Sequence, residues 1–373
     1  MERYRVLRID EQLYGCEELP EGQPVLCDVL LEDPAGQRRV LAYPDAALTR
    51  LDIHEGDTVH LCCHTLTKCQ EEHMKEIQSS ALIGLGALGI LFGRKMPGVQ
   101  VIADAERIAR YSASPVVCNG EACHFDYLTP AEGKPVDLIL IAVKATVLEQ
   151  AIRDIAKFVG PDTVILSVLN GITSEEAVEA AYPGHTLWSV AIGMDATRVG
   201  RSLTFGAAGR IQFGEKNGQM TERVRRVADY LDACGIANEP CSDILYKQWN
   251  KLMVNDGLNQ AAAAFDLPYG GLTQPGHAMD KMFEAMNEVI RLSQLEGVNL
   301  PDDNAHAVYD SMAASFKPEG MPSMRQDVLA HRPTEVEEFA GVVRRLAKKH
   351  GMPTPANDFF YEKIKEIEAS WEN

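Results

Sequence analysis

Long apolar runs are missing from this sequence. The longest, Ala81 to Gly93, is interrupted by glycines and falls short of the roughly 20 residues that a bilayer-spanning helix needs. Positive charge is also scarce. With 36 Lys and Arg against 54 Asp and Glu, the chain carries a net charge of −18, which repels nucleic-acid phosphates and anionic membrane surfaces. An anionic small substrate can be held only where local Lys or Arg side chains overcome that field. The opening Met1-Glu2-Arg3-Tyr4-Arg5 has no apolar core, so no signal peptide is expected. The nine cysteines follow no regular framework, and an odd count suggests free thiols. Repeats and low-complexity tracts are absent. The expectation is a cytoplasmic protein with no membrane and no nucleic-acid partner.

What is present is enough for two or three domains. The chain has 373 residues, 46% of them hydrophobic, sufficient to fill ordinary globular cores. In residues 1–76 the short apolar runs Val25–Leu31 and Arg39–Tyr43 flank the turn Asp33-Pro34-Ala35-Gly36. Glu55-Gly56-Asp57 then precedes the strand-like Thr58–Cys63. This spacing predicts a small all-β domain, a barrel or sandwich, joined by a charged helical connector at Gln70–Gln78. From Ser79 strands alternate with helices: Ser80–Ile83, Ala87–Lys95, Val99–Ala103, Asp137–Val143, Lys144–Phe158 and Thr163–Val168. That alternation predicts an α/β, Rossmann-type parallel sheet over 77–240. Beyond Pro240 helical spacing dominates, in Ile244–Ala264, Ala278–Glu296, Asp302–Phe316, Thr334–His350 and Ala356–Trp371. Residues 241–373 are therefore expected to form an all-α domain. Their apolar faces fit a core or a homodimer interface equally well.

Two constellations carry chemistry. Gly84-Leu85-Gly86-Ala87-Leu88-Gly89 is G-x-G-x-x-G, follows an apolar strand and opens a helix, the context in which this motif cradles a dinucleotide pyrophosphate. A glycine-rich turn without a ligand is the alternative. Asp104, twenty residues after Gly84, stands where an acid binds the ribose hydroxyls of NAD. It would repel the extra phosphate of NADP, which Arg107 could reach. Asp104 fits equally well as the N-cap of the helix 105–111. The second constellation is Lys251, Asn255 and Asn259, spaced i, i+4, i+8 on one helix face. A cation and two amides there could bind a keto acid and protonate its carbonyl. On spacing alone, a solvated polar stripe accounts for them as well.

Other clusters read more plainly. Cys62-Cys63-His64 with Cys69 and His73 fits no common zinc spacing, so no metal is expected. Cys118 and Cys123 flank a hairpin turn at Asn119-Gly120, and a disulfide is not expected in a reducing compartment. His331 reads as a loop residue. Glu337-Glu338 and Lys348-Lys349 read as solvated faces.

The ordered set Gly-Leu-Gly-Ala-Leu-Gly, Ala142-Val143-Lys144, Leu169-Asn170-Gly171, Lys251-Leu252-Met253-Val254-Asn255 with Asn259, Pro322-Ser323-Met324-Arg325-Gln326-Asp327 and Arg332-Pro333-Thr334-Glu335 resembles the ketopantoate reductase (2-dehydropantoate 2-reductase) family over residues 79–373. The resemblance implies hydride transfer from a reduced nicotinamide to 2-dehydropantoate, a step toward pantothenate. It implies Lys251 as catalytic general acid and Glu335 as the acid that pairs with the lysine or cofactor. Asn255, Asn259 and Ser323 would bind the substrate, Asn170 would lie beside the nicotinamide, and Lys144 near the cofactor and cleft. NADP(H) is the family's usual cofactor, and Asp104 leaves NAD(H) open. The chain departs from the family at Gly320, where many members carry Asn, at Pro322, where Ser is common, and in residues 1–76, which have no counterpart. The rival readings are a reductase of another 2-keto acid and a nucleotide-sensing binding protein without turnover.

Overall fold

The computed structural model describes residues 2–12, 24–62, 64–68, 76–314 and 316–372. The chain divides into two compact units, Met1–Lys75 and Glu76–Asn373. Cys63, Cys69 and His73, with residues 70–75 of the expected connector, lie outside the described residues. Residues 76–79 are extended rather than helical.

The first unit is one antiparallel sheet of β1 (Glu2–Glu11), β2 (Leu26–Glu32), β3 (Arg38–Pro44), β4 (Thr58–Cys62) and β5 (Thr65–Lys68), in the order β3-β2-β1-β4-β5. The sheet is open, and no second sheet faces it among the described residues, so neither the barrel nor the sandwich forms. Instead, alternate residues bury one face, with Val6, Val29, Leu31, Val59 and Leu66 fully covered. Leu48, from the short helix Asp45–Arg50, and Ile53 complete this core.

The second unit is built on β6 (Ser80–Ile83), β7 (Gln100–Ile102), β8 (Val116–Cys118), β9 (Glu121–Cys123), β10 (Asp126–Leu128), β11 (Val136–Ile141), β12 (Val159–Ser167), β13 (Thr186–Val199), β14 (Ser202–Gly214) and β15 (Asn238–Pro240). Their order is β10-β7-β6-β11-β12-β13-β14-β8-β9, with β15 beside β14. The six strands from β10 to β13 are all parallel, as the strand–helix alternation predicts. After Asp137, strand β11 is apolar from Leu138 to Ile141 because helices cover both sides. Leu138 and Leu140 enter one core, Ile139 and Ile141 the other. Beyond the parallel part, β13 turns back as the long hairpin β13–β14. Asn119 and Gly120, both at positive φ, close the β8–β9 hairpin, and Cys118 and Cys123 are free thiols.

From Ile244 the chain is helical: Ile244–Val254, Gln260–Ala264, Tyr269–Leu272, His277–Leu295, Asn304–Ala313, Ser323–Leu329, Val342–Lys349 and Pro355–Ala369. Their apolar faces meet in one core around Trp249, Leu252, Met286, Phe339 and Phe360 within a single copy of the chain. Two stretches expected as regular helix instead contain π-helical turns, Asn255–Asn259 and Glu337–Gly341. Among the described residues no helix is long and apolar enough to cross a membrane.

Candidate active site

The strand β6 delivers Gly84 into a turn at φ +100°, where a Cβ would lie 2.5 Å from the Ala142 carbonyl oxygen. A Cβ on Gly89 would stand 1.9 Å from the Gly84 oxygen, so these two glycines are demanded by the protein's own packing. Gly86 is different: a Cβ there meets only Ala142 O, at an ordinary 3.5 Å. Nothing inside the fold demands a glycine at 86. Gly86 is also the N-cap of the helix Ala87–Gly93, and no side chain caps that end. The Arg198 guanidinium, from β13, donates to the Leu85 carbonyl and brings positive charge to the loop of an acidic protein. Gly89→Ala is expected to abolish dinucleotide binding and lower the thermal midpoint by several degrees, because only backbone displacement can relieve the contact. Thermal denaturation with and without cofactor checks this.

Asp104 follows β7 and caps the helix Ala105–Ala113, accepting from Arg107 N at 2.7 Å. Its other oxygen lies 3.4 Å from Arg107 Nε. Both residues are exposed beside the loop.

Lys251 projects from the helix Ile244–Val254 and donates to Asn170 Oδ1 at 2.8 Å and to the Ala191 carbonyl of β13 at 2.7 Å. Asn170 lies just past β12, and its amide donates to Glu335 Oε2 at 2.9 Å. Asn170 thus bridges the lysine and the glutamate, which share no direct bond. Burial lowers the Lys251 pKa to about 8, against the opposing pull of Glu335 and then Glu175. Asn255 and Asn259 sit in the π turn that continues this helix, where the Asn259 amide donates to Asn255 Oδ1 at 3.2 Å. The wider turn keeps the two amides facing each other, and such turns recur at functional sites. Ser323 is exposed at the first position of the helix Ser323–Leu329. The Lys144 ammonium donates to Asp327 Oδ2 at 3.0 Å and to the Pro333 carbonyl at 3.2 Å. Asp327 also takes Arg332 Nε at 2.8 Å. The structure thus brings Lys144, Asn170, Lys251 and Glu335 to the seam between the strand-bearing and helical parts of this unit.

Three features escape the sequence reading. Glu338 is not on a solvated face: it accepts from Thr173 Oγ1 at 3.1 Å and packs on Gly171, and burial raises its pKa. Glu175 is fully buried behind Lys251. His331 is in a loop as expected, but its ring stacks on Trp371. Among the described residues no three His, Cys, Asp or Glu are placed to hold a metal ion.

Comparison with known proteins places this arrangement. The family model "Ketopantoate reductase PanE/ApbA" matches residues 80–218, and "Ketopantoate reductase PanE/ApbA C terminal" matches residues 243–368. The chain is 27% identical over 238 residues to the 2-dehydropantoate 2-reductase of Aquifex aeolicus, covering 61% of this chain and 76% of that protein. With the Streptococcus pyogenes serotype M3 enzyme of the same name it shares 26% over 292 residues, 74% of this chain and 92% of the relative. Among solved structures, a ketopantoate reductase from Ralstonia eutropha superposes with a TM-score of 0.69 at 22% identity, over 79% of this chain and all of the other. A D-mandelate dehydrogenase in complex with NADH gives 0.70 at 25%, over 79% and 99%. The two family models span the loop at Gly84–Gly89 and the Lys251 helix together, and the chain belongs to the ketopantoate reductase family.

Proposed function

We propose that this chain reduces 2-dehydropantoate to pantoate with a reduced nicotinamide dinucleotide, Lys251 giving the proton. The observation that supports this most is the Lys251 ammonium, with a pKa brought down to about 8 and held by Asn170 and Ala191. A general acid is most effective when its pKa lies near the working pH. Residues 77–240 would form the dinucleotide lobe and 241–373 the substrate lobe. The loop Gly84-Leu85-Gly86-Ala87-Leu88-Gly89 fits a pyrophosphate, as the unforced glycine at 86 indicates, with Asp104, Arg107, Lys144 and Asn170 as its further contacts. When bound, the dinucleotide supplies the hydride. Lys251 would polarise the keto oxygen and protonate it. Asn170 would orient the ammonium, with Glu335 held on its far side to keep the lysine charged. Asn255, Asn259 and Ser323 would hold the substrate's hydroxyl and carboxylate groups.

On this reading Asp104 favours NADH, because its exposed carboxylate just past β7 would meet the ribose hydroxyls and engages Arg107. Asp104→Asn keeps a side-chain cap but removes the charge and releases Arg107. The ratio of kcat/KM for NADPH over NADH is expected to rise about tenfold, equivalent to about 1.4 kcal/mol.

A second reading, another 2-keto acid, is favoured by position 320. Tyr269 N donates to Gly320 O at 2.9 Å, and a Cβ on Gly320 would lie 3.0 Å from the Tyr269 ring. That ring stacks on Phe316 at 4.6 Å. An aromatic pair thus adjoins a position where many family members carry an amide, which suits a substrate with a bulkier apolar side chain. Oxidation of NADPH and NADH with 2-dehydropantoate, branched-chain and aromatic 2-keto acids tests both readings. Turnover of 2-dehydropantoate supports the first, and turnover of the aromatic acids alone supports the second. Cofactor binding without any oxidation would leave a nucleotide-sensing protein.

A further inference from the structure

We propose that Glu175 is a positioning residue for Lys251, fixing through Gln248 the helix face from which the lysine projects and holding the lysine's charge from inside the fold. This rests on the reading of Lys251 as proton donor. Strand β12 pairs with β13 only through Thr186 and Leu187. Beyond that point the helix Ile244–Val254 takes over β13's carbonyls with two side chains from one face. Gln248 Nε2 donates to Ser189 O at 3.0 Å, and Lys251 Nζ donates to Ala191 O at 2.7 Å. The spacing of the two donors, i and i+3, matches two carbonyls that are two strand residues apart. The same Gln248 amide also donates to Glu175 Oε1 at 2.8 Å. Glu175 accepts further from Ser189 N at 3.2 Å and Ser174 Oγ at 2.8 Å, and Ser174 Oγ accepts in turn from Ser167 Oγ at 2.8 Å. The carboxyl is 1% exposed and bonded only to neutral groups, so its charge is not cancelled locally.

The charged groups that bear on Lys251 are Glu335, from the segment before the π turn Glu337–Gly341, and Glu175, from the helix Ser174–Ala181. The groups facing Glu175 from β12, β13 and the lysine helix are Ser167, Ser189 and Gln248, all uncharged. Burial raises the Glu175 pKa to about 7, against the pull of its hydrogen bonds. The negative charge of its carboxylate favours the Lys251 ammonium.

Glu175→Gln separates this role from simple packing. The amide oxygen can keep the bonds from Ser189 and Gln248, and the new NH₂ can donate to Ser174 Oγ once that hydroxyl turns toward Ser167. Shape and bonding are retained while the charge is lost. Two readouts apply: the pH dependence of Lys251 acylation by an amine-reactive reagent, followed by mass spectrometry, and the pH profile of kcat/KM. In Glu175→Gln the acylation midpoint is expected to fall by about one pH unit, so labelling at pH 7 rises about fivefold. The alkaline limb of kcat/KM should fall with it, while Glu175→Asp keeps the wild-type limb. Gln248→Met, which removes one of the carboxylate's donors, is expected to shift the midpoint in the same direction and stands in if Glu175→Gln does not fold. An unchanged midpoint in either folded variant overturns the proposal. A shifted midpoint in a protein that reduces no keto acid would preserve the coupling and remove the reductase reading instead.

Discussion

Lys251→Ala is expected to lower kcat by about 10² to 10⁴, the usual contribution of a positioned general acid, with little change in cofactor affinity. The lysine's partners are Asn170 and the Ala191 carbonyl; neither belongs to the glycine loop, and Asn170 keeps its own bond to Glu335 when the lysine is removed. On the proposed chemistry, reduction needs the ammonium form, so wild-type kcat/KM declines as pH rises through about 8. The variant's residual rate should show no such limb. Stability should move the other way. A lysine whose pKa falls from 10.5 to about 8 on folding binds more protons unfolded than folded between those values. Wild-type stability therefore rises with pH across that window, by about 1.4 kcal/mol per unit. Below pH 8 the full penalty of 2.5 units applies, at most about 3 kcal/mol. Lys251→Met, which fills similar space without charge, should recover part of that penalty at neutral pH and flatten the slope, less what Asn170 and Ala191 lose. Stopped-flow or steady-state rates and urea titrations at pH 7 and 9.5 check both halves. Unchanged kcat would remove Lys251 from the chemistry.

The parts of this molecule that were readable in sequence are those whose cause is local. The glycine loop is one, because its G-x-G-x-x-G spacing between a strand and a helix is local and Gly89 answers a steric demand from Gly84 five residues away, although the demand on Gly84 comes from Ala142 at the end of another strand. The parallel strands are another, since continuous apolar runs such as Leu138–Val143 have few alternatives. The face shared by Lys251, Asn255 and Asn259 was legible from spacing, but the π turn at Asn255–Asn259 was not. Nothing in Asn-Asp-Gly-Leu-Asn marks it, and a Cβ at Gly257 would lie 2.5 Å from Met286, a contact made by a distant helix. Acidic residues at helix starts, Glu175 and Glu338, look solvated by every local rule. Their burial comes from packing of the helix Ile244–Val254 and of the Asn170-Gly171 turn upon them. Strand β1, charged at Glu2, Arg3, Arg5, Arg8, Asp10 and Glu11, takes its partners β2 and β4 from later in the chain. Whether the first unit's sheet closes or stays open is decided by edge pairing that no single segment encodes, and here β3 and β5 remain its two edges.

Asp256 carries the second large effect, because its carboxyl is fully buried between the two asparagines of the π turn. Gln260 Nε2 donates to Oδ1 at 2.9 Å. The other oxygen, Oδ2, has no partner, and neither does the nearby buried Asn357 Oδ1. Asn357 spends its own amide on Glu288 Oε2 at 2.9 Å, and Glu288 also receives the backbone amides of Ala356 and Asn357. A buried carboxylate oxygen without a donor is costly unless it carries a proton. Burial, together with the negative charge of Glu288 and against the pull of Asn357 and Gln260, pushes the Asp256 pKa well above its usual value, which favours the protonated acid. The folded state then binds a proton that the unfolded state has released above about pH 4. Stability contributed by this site therefore falls as pH rises, by about 1.4 kcal/mol per unit, until the raised folded-state pKa is reached. Asp256→Asn supplies a permanent N–H in place of the O–H. It is expected to match wild type at pH 4 and to be more stable at pH 7, with a flatter pH dependence. Asp256→Ala, which strands Gln260 and Asn357, should cost about 2 to 4 kcal/mol at pH 4 and less at pH 7, where the wild type has lost the contribution of the protonated acid. Chemical denaturation of the three proteins at pH 4, 5.5 and 7 decides it: an asparagine variant less stable than wild type at pH 7 would mean that Asp256 is ionised in the fold.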